Sequence, residues 1–311
     1  MKGLDIAFSY YNEYGKPMLE SEFGEVYDKI TTGLVGEGSE CYGYDDLTSQ
    51  DHDFDMGFCV FISQKDYDKF GFKLERAYAK LPREYIGFKR KILSPTGGER
   101  RGVIIVEDFY KKFLGASTIP QDINWWFYVP EHSLSTATNG KIFSGDNTPF
   151  LQVRNALLNG YPNDVKLKKL AKSLILAGQS GQYNYSRCIS HSERGSASLA
   201  ICEFVNNYIS AVYLLNNTYQ PFYKWAFRGL RNLPILSECE PPLEGLLEYG
   251  NNKSESKLKC EIIEDLSKML IKELKKQNLT DATCFNLETH AYSVTDKIKN
   301  AEIRNMHIME G

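Results

Sequence analysis

The sequence lacks an excess of charge of either sign, a run of 18 apolar residues and any Cys-x-x-Cys pair. Its 37 Lys and Arg stand against 40 Asp and Glu, a net charge of −3 at pH 7. Attachment to long nucleic acid or to an anionic membrane by charge alone is therefore excluded. Without a long apolar run no membrane span is expected. The opening Met1-Lys2-Gly3-Leu4-Asp5 is soon interrupted by Asn12, Glu13 and Lys16, which leaves no apolar region for a signal peptide and predicts a cytoplasmic protein. Seven cysteines form an odd set, so neither a disulfide framework nor a zinc knuckle fits, and they read as buried or incidental thiols.

What is present is globular: 311 residues, 42% hydrophobic, 13% aromatic and 25% charged, a length that predicts about two domains. Up to about residue 150, short β-branched and aromatic runs alternate with Gly, Asp and Ser clusters. Strands are expected at 30–35, 53–62, 85–93, 102–106 and 141–143, with helices at 4–14, 67–81 and 108–114. From 151 on, helical periodicity dominates, at 151–159, 163–179, 194–216, 220–231, 243–249, 255–277 and 294–306. The fold class expected is a mixed-sheet α+β domain over 1–150 followed by an all-α bundle over 151–311. A cleft between two such domains is where a small ligand is expected.

The most informative passage is Gly36-Glu37-Gly38-Ser39-Glu40 and, from position 51, Asp51-His52-Asp53-Phe54-Asp55-Met56-Gly57-Phe58-Cys59-Val60-Phe61-Ile62. Strand alternation puts His52, Phe54, Met56, Phe58, Val60 and Ile62 on one face, mostly apolar, and Asp51, Asp53 and Asp55 on the other, roughly 6.6 Å apart along the strand. Three carboxylates on one face repel unless screened, and a divalent cation relieves them best. Magnesium suits hard carboxylate oxygens and leaves room for substrate phosphate. The bland reading is the solvent face of an edge strand. His52, on the apolar side, reads as a hydrogen-bonded core residue.

Rival motifs fail on position. An EF-hand loop beginning at Asp51 would need Gly and Glu where the chain has Met56 and Ile62. A dinucleotide fingerprint would need glycine at Cys41, and neither a Walker A sequence nor a Gly-x-Ser-x-Gly elbow occurs. What remains is a Gly-Ser turn, able to offer N–H groups and a hydroxyl to phosphate, leading to an acidic strand.

In Gly38, Ser39, Asp51 and Asp53 the sequence resembles the nucleotidyltransferase superfamily: Gly-Ser, a spacer, then two carboxylates two apart. The wider context looks like the bacterial family catalogued as domain of unknown function 4037. It includes Trp126, Pro130-Glu131, Thr138-x-Gly140-x-Ile142-Phe143, Arg154, Arg187 and Tyr219-x-Pro221-Phe222-Tyr223-Lys224-Trp225. The resemblance implies magnesium-dependent transfer of a nucleoside monophosphate from a nucleoside triphosphate, ATP foremost, to a hydroxyl or amine of an acceptor, with pyrophosphate released. A small-molecule acceptor is expected. A catalytically silent nucleotide-binding module, or transfer onto a protein or RNA, are the alternatives.

The roles follow from that implication. Asp51 and Asp53 hold magnesium, with Asp53 and Asp55 as a second register, and Gly38 and Ser39 hold the outer phosphates. Glu107 and Asp108 are candidates for a third carboxylate, although Asp108 also fits a helix N-cap. Glu193 is the candidate general base, or a partner of a helix dipole. Lys224 and Arg187 are candidate phosphate ligands, Lys224 alternatively sitting on its aromatic neighbours. Asn163 and Asp164 read as helix cap and dipole partner. Lys166, Lys168, Lys169 and Lys172 read as a solvated face.

Overall fold

A computed structural model describes residues 1–46, 56–90 and 100–311. The chain divides into two compact units. One comprises Met1–Trp125 with Val129–Asn159, the other Trp126–Tyr128 with Gly160–Gly311. The expected boundary near 150 thus falls inside a helix, Pro149–Leu158, that belongs wholly to the first unit.

The first unit is α+β. Its strands are β1 (Thr31–Leu34), β2 (Cys59–Ile62), the short hairpin β3 (Glu84–Tyr85) and β4 (Phe88–Lys89), β5 (Gly102–Ile105) and β6 (Lys141–Ser144). Four of them form a mixed sheet in the order β5-β2-β1-β6, with β1 antiparallel to both neighbours and β2 parallel to β5. This topology has one consequence for function. The C-terminal end of β1 and the N-terminal ends of β2, β5 and β6 share one edge of the sheet, and the opposite ends share the other, roughly 10 Å away.

Alternation in the β2 region holds within the described residues: Met56, Phe58, Val60 and Ile62 all enter one core cluster. The other face is not solvent. Phe61 stacks on Phe150 at 3.8 Å and meets the edge of Phe109 at 5.2 Å, so the helices Val106–Leu114 and Pro149–Leu158 cover it. On the first face lies the N-terminal helical stretch Gly3–Tyr10, Tyr11–Gly15 and Lys16–Phe23, whose middle part is a π-turn. The helix expected at 4–14 runs on past Pro17, which lacks an N–H. Here the widened turn before it absorbs the missing bond and the helix continues. Tyr10 and Tyr11 pack on Phe58 at 6.0 and 5.3 Å.

The second unit is helical: Asn163–Ala177 running on through Gly178–Tyr185 and Ser186–Ser190, then Arg194–Leu215, Tyr223–Leu230, Glu240–Glu248, Lys253–Lys276, Leu287–Thr295 and Ala301–Asn305. Phe204, Tyr208, Val212 and Leu215 are buried at the expected spacing. Arg194–Leu215, though not an unbroken apolar run, is long and apolar enough by composition to cross a membrane, and 61% of its most apolar window is buried within the protein, as in the core helix of a bundle.

The lysine run does not form a solvated face. Lys168 is 0% exposed and donates to the carbonyl of Met306 at 2.6 Å. Lys172 donates to Gly311 O at 2.6 Å, and Lys169 lies over Tyr161 at 5.3 Å. Helix Asn163–Ala177 packs against both Arg194–Leu215 and Leu287–Thr295, so it has little free perimeter, and its lysines reach carbonyls and rings past their own apolar stems.

Candidate functional site

The Gly-Ser segment leaves β1 at the shared edge and is held there from three sides. Asn139, just after the helix Glu131–Thr138, accepts from Gly36 N–H and donates to Gly36 O, both at 2.8 Å. Gly140, at φ +73°, sits so close to Leu34 O that a Cβ would lie 1.8 Å from it, so no other residue fits. Lys112 donates to Glu37 at 2.8 Å. The family-like run Thr138-x-Gly140 is thus the clamp of the turn.

Gly38 has φ +118° and lies over Glu40, such that a Cβ would come within 2.3 Å of the carboxylate. Only glycine takes both the dihedral and the contact without strain. Glu40 is 2% exposed and paired with Arg101, itself 2% exposed, which stands just before β5 at the same edge. Burial pushes the Glu40 carboxyl up and the Arg101 guanidinium opposes it. Ser39 opens the 3-10 turn Ser39–Tyr42. Its carbonyl accepts from Tyr44 N–H at 2.9 Å, and its half-buried hydroxyl makes no hydrogen bond among the described residues.

The same edge receives the chain as it enters β2. Tyr78 Oη donates to Phe58 O at 2.8 Å and accepts from Phe58 N–H at 3.1 Å. Arg90 lies 4.9 Å over the Tyr78 ring and donates to Tyr78 O at 2.9 Å. Burial raises the Tyr78 phenol far above its ordinary value, so it stays protonated. Asp51, His52, Asp53 and Asp55, just upstream, lie outside the described residues. Among the described residues no three His, Cys, Asp or Glu side chains form a metal-binding group.

Glu107 is placed elsewhere. Because β2 and β5 are parallel, the residues after β5 lie at the edge opposite Gly38. There Glu107 accepts from Gln64 N–H at 2.9 Å and anchors the helical segment that follows β2. Asp108 is not an N-cap: the helix begins at Val106, and Asp108 is an exposed residue of its first turn.

In the helical unit, Glu193 is exposed immediately before Arg194–Leu215, with no side-chain hydrogen bond or ion pair among the described residues. Arg187 lies 5.0 Å over Tyr183, and Lys224 lies 4.5 Å over Trp225. Tyr213 donates to Ala226 O at 2.9 Å, fixing the helix of Lys224 at the far end of Arg194–Leu215, about 30 Å along the axis from Glu193. Lys224 and Glu193 therefore lie at opposite ends of that helix. Asn163 is no cap, since the helix starts with it after Pro162. Asp164 is occupied structurally, accepting from the N–H groups of Lys299 at 3.2 Å and Asn300 at 2.8 Å.

The residues that sequence reading missed are Glu40, Arg101 and Tyr78. Glu40 stood beside the Gly-Ser motif without a role, and the Arg100-Arg101 pair before an apolar strand was the available signal for its partner.

Residues 126–226 match the model of the family described as Domain of unknown function (DUF4037). The match covers the clamp residues Thr138–Gly140, the helices Pro149–Leu158 and Asn163–Ala177, and the first half of Tyr223–Leu230. It stops short of Gly38 and the aspartates. No match was found among curated proteins or among solved structures.

Proposed function

We propose that the protein is a magnesium-dependent nucleotidyltransferase that moves a nucleoside monophosphate from a nucleoside triphosphate, ATP foremost, to a hydroxyl or amine of a small acceptor. The observation that carries this reading is the shared sheet edge. A glycine-strained turn with an unengaged serine hydroxyl leaves β1 where the chain enters β2 directly from its acidic stretch. Asp55 is only four residues from Cys59, within about 14 Å of it by chain length alone.

Three aspartates offer hard oxygen donors only, a set that fits magnesium and not a soft metal. When bound, the metal would neutralise charge on the triphosphate. Ser39 Oγ and the Gly38–Ser39 backbone hold the outer phosphates, and the Glu40–Arg101 pair fixes the turn beneath them. Glu107, bonded to Gln64 N–H at the opposite edge of the sheet, takes no part in this reading. Calorimetry with ATP, GTP, CTP and UTP, with and without magnesium, tests the proposal. Metal-dependent binding of at least one supports it; no binding of any sinks it.

A further inference from the structure

We propose that Arg154 anchors a buried subsite for a phosphoryl oxyanion in the first unit. Arg154 stands on the helix Pro149–Leu158 and faces inward with Phe150 and Leu157, which lie one turn to either side. It is only 7% exposed, and its Nη1 is buried without a hydrogen-bond partner. Among the described residues it forms no ion pair, and the electrostatic neighbour there is Tyr110. That phenol cannot be the missing anion. Its hydroxyl donates to Phe150 O at 2.8 Å, and burial holds it protonated far above its ordinary value.

Burial lowers the affinity of the guanidinium for its proton, but arginine stays charged in proteins. An uncompensated buried charge costs several kcal/mol. The same unit compensates its other deeply buried arginine, Arg101, with Glu40, so the chain has the means and does not apply them at Arg154. No group among the described residues completes the site, and we assign that place to a ligand. The planar fork of a guanidinium matches two oxygens of a phosphoryl group. A phosphoryl dianion also offsets the buried cation more fully than a singly charged carboxylate does. Phe150, one turn away on the same buried face and itself stacked on Phe61, keeps the surroundings apolar, which strengthens such a contact. Nothing here depends on the aspartates or on magnesium.

The test is thermal unfolding of the full chain in EDTA, titrated with inorganic phosphate, pyrophosphate and, as a carboxylate control, malonate. Wild type, Arg154→Met and Arg154→Lys are compared. Phosphate or pyrophosphate is expected to raise the wild-type Tm in a concentration-dependent way, with malonate giving a smaller shift. Arg154→Met is expected to have a higher Tm than wild type without phosphate and no phosphate response, and Arg154→Lys a weakened one. The proposal is overturned if Arg154→Met is less stable than wild type or fails to fold, as a structural arginine requires. An unchanged phosphate response in Arg154→Met or Arg154→Lys, no response in wild type, or a malonate shift equal to that of phosphate overturns it as well. If metal-dependent triphosphate binding fails while the phosphate response stands, only the nucleotidyltransferase reading falls.

Discussion

The Glu40 carboxylate lies beneath Gly38 and is held there by the guanidinium of Arg101. The pair is buried on both sides and links the turn after β1 to the residue just before β5. It therefore ties together two chain segments that meet only at this edge of the sheet.

Removing one partner of the pair leaves the other charge buried. Arg101→Met should destabilise the protein by about 3–5 kcal/mol. Replacing both, as Glu40→Leu with Arg101→Met, should recover a large part of that loss, which urea unfolding of the three variants measures.

Gly38→Ala places a methyl against the Glu40 carboxylate in a dihedral that alanine resists. We expect a stability loss of about 1–3 kcal/mol together with weakened triphosphate binding. Ser39→Ala should weaken binding with stability nearly unchanged, because its hydroxyl makes no hydrogen bond among the described residues. Calorimetry and unfolding on both variants separate the two effects.

Tyr78→Phe takes a partner from Phe58 N–H, leaving a buried backbone donor unmet, at a cost of about 1–3 kcal/mol. If Tyr78 anchors the entry to β2, triphosphate affinity falls as well, more than in Tyr10→Phe. Tyr10 has a comparably buried phenol, bonded to Pro82 O at 2.6 Å.

His290 is fully buried between Thr280 Oγ1 at 2.8 Å and Cys284 O at 2.9 Å, and burial lowers its pKa from 6.5. The folded state then binds fewer protons than the unfolded one below pH about 6.5, so this contribution is present above that pH and is lost as pH falls through the lowered folded pKa. The urea midpoint should drop between pH 7 and pH 5 more steeply in wild type than in His290→Gln.

Much of this architecture was legible. The β-branched runs at Thr31–Leu34, Gly102–Ile105 and Lys141–Ser144 and the 3-4 spacing from Phe204 to Leu215 carry their own elements. Residues whose role is set by distant partners were not. Lys168 looks like any solvated lysine until Met306 supplies its carbonyl 138 positions away. Glu107 suggested a metal ligand because sequence shows that it follows a strand but not that the strand runs parallel to β2. The Gly38–Ser39 turn was readable because glycine at a strained dihedral and an adjacent hydroxyl are local properties, whereas the Glu40–Arg101 pair spans 61 positions.

The central claim is that the acids entering β2 and the Gly38–Ser39 turn act together on a triphosphate. Its most direct measurement is calorimetric titration of ATP, with and without magnesium, into wild type and into the Asp51→Asn, Asp53→Asn double variant. The account predicts magnesium-dependent binding in wild type that disappears in the double variant while the fold, read by circular dichroism, is retained. Equal binding by both proteins with magnesium would contradict it.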